Sequence, residues 1–506
     1  MDTRVPLAAA VVLGVALNWP RLPDAAPASA PPERFSATRA LVPLAAWAAE
    51  PRPTGSPAHA AVLDDLSAAL TTSGFEVRRE VSPDGRLVNL VAAAPGAPVG
   101  GVWLTAHSDS VPRAPGAADD GLGLAVVTEA ARAISVGGVP AGLHVLVTDG
   151  EELGLLGAKA HVAADRASSG EGERASRLVL NVEARGTEGP AYMFQTAGPE
   201  GELLQAWRES GCGAQATSLA HSIYAVLPND TDFTVFRRAG WWGYDFALID
   251  GAWRYHTPED TPANLSPASV QAVGDCVTGL ARAWLGREPG FGAPKPEGAR
   301  VYAQVGGATV EAPGWAVRLA AALPLLLLRP SRRVLVGAGA WALALTAAMG
   351  LAIFAMVPLA AVWPGFATRP AEALHPYPLF GLALALGVGC AGGALRLLRP
   401  FSPVGGWLDL AAIGAAVVAV ALPAAGYALV PGVWAAALRA RGYERMAVAG
   451  ALAAGVLIGP VLLGACVGLT SRMLPVLALL PLLTLGWGIP RGAAIGNQPR
   501  PQPRGP

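Results

Sequence analysis

Cysteine is scarce in this chain, and its placement rules out one chemistry. The four residues Cys212, Cys276, Cys390 and Cys466 form no C-x-x-C pair in 506 residues, which excludes a cysteine-liganded zinc site. Cys390 and Cys466 lie inside apolar runs and read as small buried hydrophobes. Cys212 and Cys276 can bridge if their domain faces an oxidising compartment, a pairing that spacing alone leaves open. No basic stripe with interleaved aromatics occurs, so nucleic acid is not an expected partner. Charged residues make up only 15% of the chain against 52% hydrophobic ones. That balance is apolar for a soluble protein, and the length exceeds one ordinary domain.

The formal net charge of zero hides a split. From Trp315 onward there are fourteen arginines and three acids (Glu372, Asp409, Glu444), leaving 23 basic and 34 acidic residues before it. An acidic first part followed by an apolar, arginine-flanked second part predicts a water-exposed domain fused to a membrane domain. At the N-terminus Arg4 precedes a short apolar run, 5–17, and Trp19-Pro20-Arg21 follows it. The segment 1–21 reads as a signal anchor or, with Ala28-Ser29-Ala30 as a cleavage site, a signal peptide. Either places the next domain of the chain outside the cytoplasm.

Residues 35–285 alternate between helical and strand patterns. Helices are expected over 57–73, 122–134 and 266–285, and strands over 102–106, 143–148, 178–182 and 242–249. Such alternation predicts an α/β fold, a mainly parallel mixed sheet flanked by helices, with ligands bound beyond the carboxyl ends of the strands. Residues 286–313, rich in Gly and Pro, read as a linker. Within 314–490, apolar runs at 334–363, 377–393, 407–438 and 447–469 are candidate membrane spans. A weaker run covers 473–489 and a borderline one 315–328. The arginine bias puts Arg329, Arg332, Arg333, Arg396 and Arg399 inside; it conflicts at Arg439, Arg441 and Arg445 unless 407–438 is re-entrant or passes twice. Asp409 lies near a span end, where an acid can snorkel. The tail 491–506 reads as disordered.

Five segments carry candidate chemistry: Thr105-Ala-His107-Ser-Asp109-Ser, Gly116-Ala-Ala-Asp119-Asp120-Gly, Asp149-Gly-Glu151-Glu152-Leu-Gly, Asn181-Val-Glu183 and Tyr255-His256-Thr-Pro-Glu-Asp260-Thr. Hydrolysis of an amide at neutral pH needs a strong nucleophile and a group that holds the developing oxyanion. Two metal ions sharing a hydroxide supply both, and zinc accepts histidine nitrogen and carboxylate oxygen. The segments contain five candidate ligands, one further glutamate able to act as base, and Asp109 placed to accept a ring N–H of His107. Each motif has an ordinary reading: H-x-D as a hydrogen-bonded histidine, Glu151-Glu152 as a solvated helix start, His256 as a turn residue. Their joint occurrence, mostly after predicted strands, favours a site.

The segments Ala106-His-Ser-Asp-Ser-Val111, Gly116-Ala-Ala-Asp-Asp-Gly121, Gly150-Glu-Glu152, Asn181-Val-Glu-Ala184, Asn229-Asp-Thr-Asp-Phe233 and Tyr255-His-Thr257 resemble the dizinc aminopeptidase family of metallopeptidases, in particular its membrane-anchored branch. The resemblance covers 35–285 and implies two zinc ions per chain. It implies that Asp119 bridges them, that His107 and Glu183 complete one site, and that Glu152 and His256 complete the other. Glu151 would be the general base, and Tyr255 would stabilise the oxyanion. Two departures stand out. Glu183 occupies a position that is aspartate in many soluble members, and an arginine found near Asp230 in some secreted members is missing.

The remaining histidines, His59, His144, His161, His221 and His375, read as structural or surface residues. Trp241, Trp242, Tyr224 and Phe246 could line a pocket, but core is the default for aromatics in an α/β domain. The expected protein is a membrane-anchored, extracytoplasmic zinc exopeptidase acting on peptides, with lipid as its other partner. A carboxypeptidase, a glutaminyl-cyclase-like relative and a non-catalytic domain on a membrane scaffold or transporter are the competing readings.

Overall fold

The computed structural model describes residues 21–98, 100–168, 177–224, 230–287, 299–327, 415–441 and 445–450, with isolated positions 13, 16, 17, 443, 452, 453 and 457. The chain divides into two compact units, one of which holds residues 18–314. Its strands are β1 (Glu76–Val81), β2 (Val88–Ala93), β3 (Gly101–His107), β4 (Leu143–Thr148), β5 (Arg177–Ala184), β6 (Glu188–Ala197), β7 (Gln215–Ala216) and β8 (Trp242–Asp250). They form one sheet in the order β1-β2-β4-β3-β5-β8-β6-β7. The central four, β4-β3-β5-β8, run parallel, while β1, β2 and β6 pair antiparallel at the flanks.

The central strands read as nearly continuous apolar runs because both faces are covered. Val102, Leu104 and Ala106 of β3 enter the larger core, whereas Trp103 between them enters the smaller one. Leu178, Leu180 and Val182 of β5 alternate with Val179 in the same way. The helices are α1 (Ala37–Trp47), α2 (Pro57–Thr72), α3 (Gly121–Ile134), α4 (Leu156–Ser168), α5 (Glu200–Ser210), α6 (Ser218–Tyr224), α7 (Asp232–Arg238) and α8 (Pro267–Leu285). Helices α1, α3, α5 and α8 pack together over the larger core, and α4 meets α7 over the smaller.

The seven expected elements of this domain all occur, with ends displaced by at most two residues. Ser56 caps α2 by accepting from His59 N, with Pro57 in the first turn, and Ser266 caps α8 likewise. Cys212 and Cys276 are joined as a disulfide, tying the loop after α5 to α8.

The segment read as a linker departs from that reading in its second half. Residues 300–313 form a hairpin of β9 (Arg300–Val305) and β10 (Ala308–Pro313). Gly306 and Gly307 turn it, both at positive φ, as a tight two-residue hairpin turn requires. Tyr302 is buried; its backbone N–H and carbonyl both hydrogen-bond the Ser218 hydroxyl, while Gln304 donates to the Ala214 carbonyl at 2.7 Å. Two glycines flanked by alternating apolar residues are a hairpin signal, masked here by the Gly and Pro richness of 287–298.

In the other unit, a helix Gly314–Ala322 continues into a 3-10 turn at Leu323–Leu327. The helix Val430–Ala440 places Trp434 Nε1 2.9 Å from the Ala320 carbonyl. The run 407–438 is broken in its described part by a non-helical Leu422 and a 3-10 turn at Tyr427–Leu429. Among the described residues no helix is long and apolar enough to cross a membrane. The expected spans at 334–363, 377–393 and 473–489, most of 447–469 and nearly all of 1–21, lie outside the described residues, as does the tail 491–506.

Candidate metal centre

Parallel pairing delivers the carboxyl ends of β4, β3, β5 and β8 to one side of the sheet, and the acidic segments follow those ends. His107 is the last residue of β3, Glu183 lies one residue from the end of β5, and Glu151 and Glu152 follow β4 by three and four residues. His256 lies six residues beyond β8. Asp119 comes from the loop before α3. Gly116 lets that loop turn, with φ +67°; a Cβ there would lie 2.4 Å from the Asp119 carbonyl oxygen.

The side chains converge on Asp119. His107 Nε2 lies 3.2 Å from Asp119 Oδ1 and 3.7 Å from Glu183 Oε2. On the other side His256 Nε2 lies 2.8 Å from Asp119 Oδ2 and 2.9 Å from Glu152 Oε1. Two triads result, His107–Asp119–Glu183 and Asp119–Glu152–His256, each with its donor atoms within 4.8 Å of one another. Asp119 gives one oxygen to each.

Three of these atoms decide what the site can hold. Asp119 Oδ2, Glu152 Oε1 and His256 Nε2 are buried and close, yet none has a partner in hydrogen-bond geometry. Convergent, desolvated donors without mutual hydrogen bonds are costly unless a cation satisfies them. The protonation balance agrees. Burial alone would lower His256, but the carboxylates of Asp119 and Glu152 push it up to about 9. Burial would raise Asp119, but the two imidazoles hold it well below the usual carboxylate range. The site thus draws positive charge between its carboxylates. One imidazole and two carboxylate oxygens per triad is a donor set that fits zinc and leaves a position open.

The surrounding network is denser than the motifs suggest. Asp109 was expected to accept the free ring N–H of His107. Its backbone carbonyl stands nearer to Nδ1, at 3.0 Å, than its carboxylate, at 3.4 Å. The carboxylate also accepts the backbone N–H groups of Glu151 and Glu152, at 3.1 and 3.2 Å. Asp109 therefore ties the β3 end to the glutamate turn. Burial pushes Glu151 well above the ordinary glutamate range; His107 opposes this, and Asp232, Asp119 and Glu152 add to it. Tyr255 stacks on His256, ring centroids 3.8 Å apart, and burial with the nearby carboxylates raises its phenol well above 10. His256 has φ +59°, a strained conformation for a non-glycine residue, and Arg113 Nε holds its carbonyl at 2.7 Å.

Several contributors escaped the sequence reading. Asp120 accepts His107 N–H at 3.1 Å and Gly123 N–H at 2.9 Å, joining strand end to helix start. Asp260 binds three consecutive amides, with its carbonyl at Ala117 N and its carboxylate at Ala118 N and Asp119 N. Arg52, fully buried, donates to the carbonyls of Ser108, Pro115 and Gly116 and so ties the end of β3 to the loop that carries Asp119. His59, read as structural, reaches beneath the site to Ser108 Oγ at 2.9 Å and to Asp149 at 3.4 Å. Asp120 and Asp260 stand within two of the candidate segments, where sequence alone assigned them no role of their own, and no motif marks Arg52 or His59.

The other candidates separate cleanly. His144 stacks on Trp103, and burial pushes it down to about 4, while His161 pairs with Glu80 at 2.7 Å. Trp241, Trp242 and Phe246 are core residues. Tyr224 packs on Phe194, and His375 lies outside the described residues.

Residues 89–281 match the model of Peptidase family M28. Over 180 residues the chain is 32% identical to endoplasmic reticulum metallopeptidase 1 of Mus musculus, covering 34% of this chain and 19% of that one. It is 33% identical over 173 residues to a vacuolar membrane protease of Botryotinia fuckeliana (strain B05.10), covering 34% and 16%. It is 32% identical over 185 residues to aminopeptidase YwaD of Bacillus subtilis (strain 168), covering 35% and 39%. The chain thus matches about a fifth of the length of the first of these relatives. The matched segment contains both triads together with Asp109, Glu151 and Tyr255, so the residues that the fold brings together lie within the stretch over which this chain is similar to peptidase family M28.

Proposed function

We propose that this domain is a zinc-dependent exopeptidase, an aminopeptidase that holds two zinc ions and hydrolyses peptide bonds. The observation that supports it most directly is the Asp119 carboxylate, one oxygen of which faces each of two histidine–carboxylate triads. His107, Asp119 and Glu183 would hold one ion, and Asp119, Glu152 and His256 the other. Bound zinc supplies Lewis acidity, which acidifies a water and polarises a scissile carbonyl.

The chain's own groups supply the remaining chemistry. Glu151 takes the proton of the attacking water at a carboxylate oxygen and gives it to the leaving amine nitrogen; burial raises its proton affinity, as such a shuttle needs. Asp109 fixes the turn that carries Glu151. Tyr255, its phenol kept protonated by burial, is a hydroxyl donor beside His256 for the developing oxyanion. The arginine-flanked apolar runs beyond residue 314 would anchor the protein in a membrane, with the peptidase domain outside the cytoplasm. The Cys212–Cys276 disulfide is consistent with an oxidising compartment.

The test is Glu151→Gln in the full-length chain. Hydrolysis of a free-amino peptide should fall by roughly a thousandfold or more, while metal analysis still finds two zinc ions per chain. Loss of zinc together with activity would assign Glu151 as a ligand instead. Parallel assays on amino-blocked peptides and on peptides with N-terminal glutamine separate an aminopeptidase from a carboxypeptidase and from a cyclase. Cleavage undiminished in excess chelator would sink the zinc reading.

A further inference from the structure

Arg185 follows Glu183 by two residues, on the turn between β5 and β6. Its guanidinium carbon stands 5.8 Å from the centroid of the Tyr255 ring. That ring stacks on His256, which reaches Asp119 and Glu152. The Tyr255 and His256 rings thus link Arg185 to the second triad. Its side chain is half-buried, and among the described residues only the Tyr255 ring engages its guanidinium. Neighbouring arginines differ. Arg254 donates to Thr187 Oγ1 and lies 3.6 Å from Glu188, Arg113 holds the His256 carbonyl, and Arg52 binds three carbonyls.

A guanidinium presents five N–H donors in a planar fork that matches a carboxylate, and it remains charged at every accessible pH. Stacking on a ring uses its face and leaves the fork free. An extended peptide advances about 3.3–3.6 Å per residue, so a carboxylate within a few residues of the scissile bond lies within reach of such a fork. Building on the exopeptidase reading above, we propose that Arg185 recognises a carboxylate of the substrate, making short anionic peptides the favoured class. The carboxylate is either the free C-terminus of a di- or tripeptide or an acidic side chain next to the cleaved bond. The ordinary alternative is an arginine that merely covers Tyr255 while its head meets water.

The zinc-loaded, full-length chain decides between them with two matched pairs of peptides. One pair is Leu-Gly-Gly as free acid and as C-terminal amide; the other is amidated Leu-Asp-Gly and Leu-Asn-Gly. The expected result is a kcat/KM at least roughly tenfold higher for the carboxylate member of one pair, and the pair that responds names the source. In Arg185→Gln that ratio should fall to about one, mainly through KM; Arg185→Lys, which keeps the charge, should restore part of it. A wild type without preference in either pair, or an Arg185→Gln variant that slows all four peptides equally, would overturn the proposal while leaving the exopeptidase reading intact. If the wild type cleaves none of the four peptides, the parent reading falls and takes this one with it.

Discussion

The two triads share Asp119 but are built from different material. In the first, His107 ends β3 and Glu183 lies at the end of β5, strands paired directly in the middle of the sheet, and both side chains are buried. In the second, Glu152 and His256 stand on loops and are only half-buried, and the backbone of His256 is strained. One position is therefore fixed by the sheet, whose geometry follows from apolar packing on both faces. The other depends on loops held by polar contacts: Asp109 beneath Glu152, and Arg113 at the His256 carbonyl. A strained residue at a half-buried ligand position has a conformational cost of about 1–3 kcal/mol, so metal there should bind less tightly than metal between the strands.

The largest effect that tests this comparison comes from the residue the triads share. Asp119→Ala should remove both ions and abolish hydrolysis, since each triad loses a ligand and the pair loses its bridge. Metal analysis after dialysis should find fewer than one zinc per chain. Retention of one tightly held ion would mean that the triads are more independent than the shared carboxylate implies.

A smaller and more discriminating effect separates the two. His256→Ala should leave one zinc in place, whereas Glu183→Ala should lose the tighter one, each with activity reduced at least a hundredfold. In the wild type, a chelator titration followed by metal analysis should remove the ions in two steps, the first leaving the state that His256→Ala mimics. Simultaneous release, or a first step resembling Glu183→Ala, would break the distinction between strand-set and loop-set positions.

The same distinction governs what could be read from sequence. Strands β3, β4, β5 and β8 announce themselves because residues buried on both faces form apolar runs, and the end of such a run predicts where His107 and Glu183 project. The residues of the two triads were legible as candidates because zinc chemistry restricts residue types and the motifs stand in order. The supports were not. Arg52 acts through its contacts with carbonyls 56 to 64 residues away, and Asp260 through amides over 140 residues away. Such roles depend on tertiary approach and leave no local periodicity. The edge strand β1 went unread for a related reason: its positions are all exposed or half-buried, giving little apolar contrast. The hairpin at 300–313 shows the converse, a local signal overlooked because its surroundings resemble a linker.

The smallest effect on activity concerns the foundation beneath the buried triad. Asn181 Nδ2 lies 3.5 Å from Glu183 Oε1 and donates to Asp245 Oδ1 at 2.9 Å, while Thr231 donates to Asp245 Oδ2 at 2.7 Å. Burial pushes Asp245 up to about 7, with Asp232 and Asp230 adding to the rise and the two hydrogen bonds opposing it. An unfolded aspartate titrates near pH ~3.9. The folded chain therefore holds this proton more tightly. The stability it contributes is complete below about pH 4 and is lost as pH rises through about 7. Asn cannot ionise, so Asp245→Asn should be spared that loss. Its stability relative to wild type should grow between pH 4 and 8 by on the order of 4 kcal/mol, read from denaturation midpoints of both proteins at each pH. Peptide hydrolysis should change severalfold at most, because the hydrogen-bonded path from Asp245 to the buried triad runs through Asn181. A stability difference independent of pH would mean that Asp245 keeps one protonation state throughout, and that the buried triad rests on a fixed polar support that does not titrate.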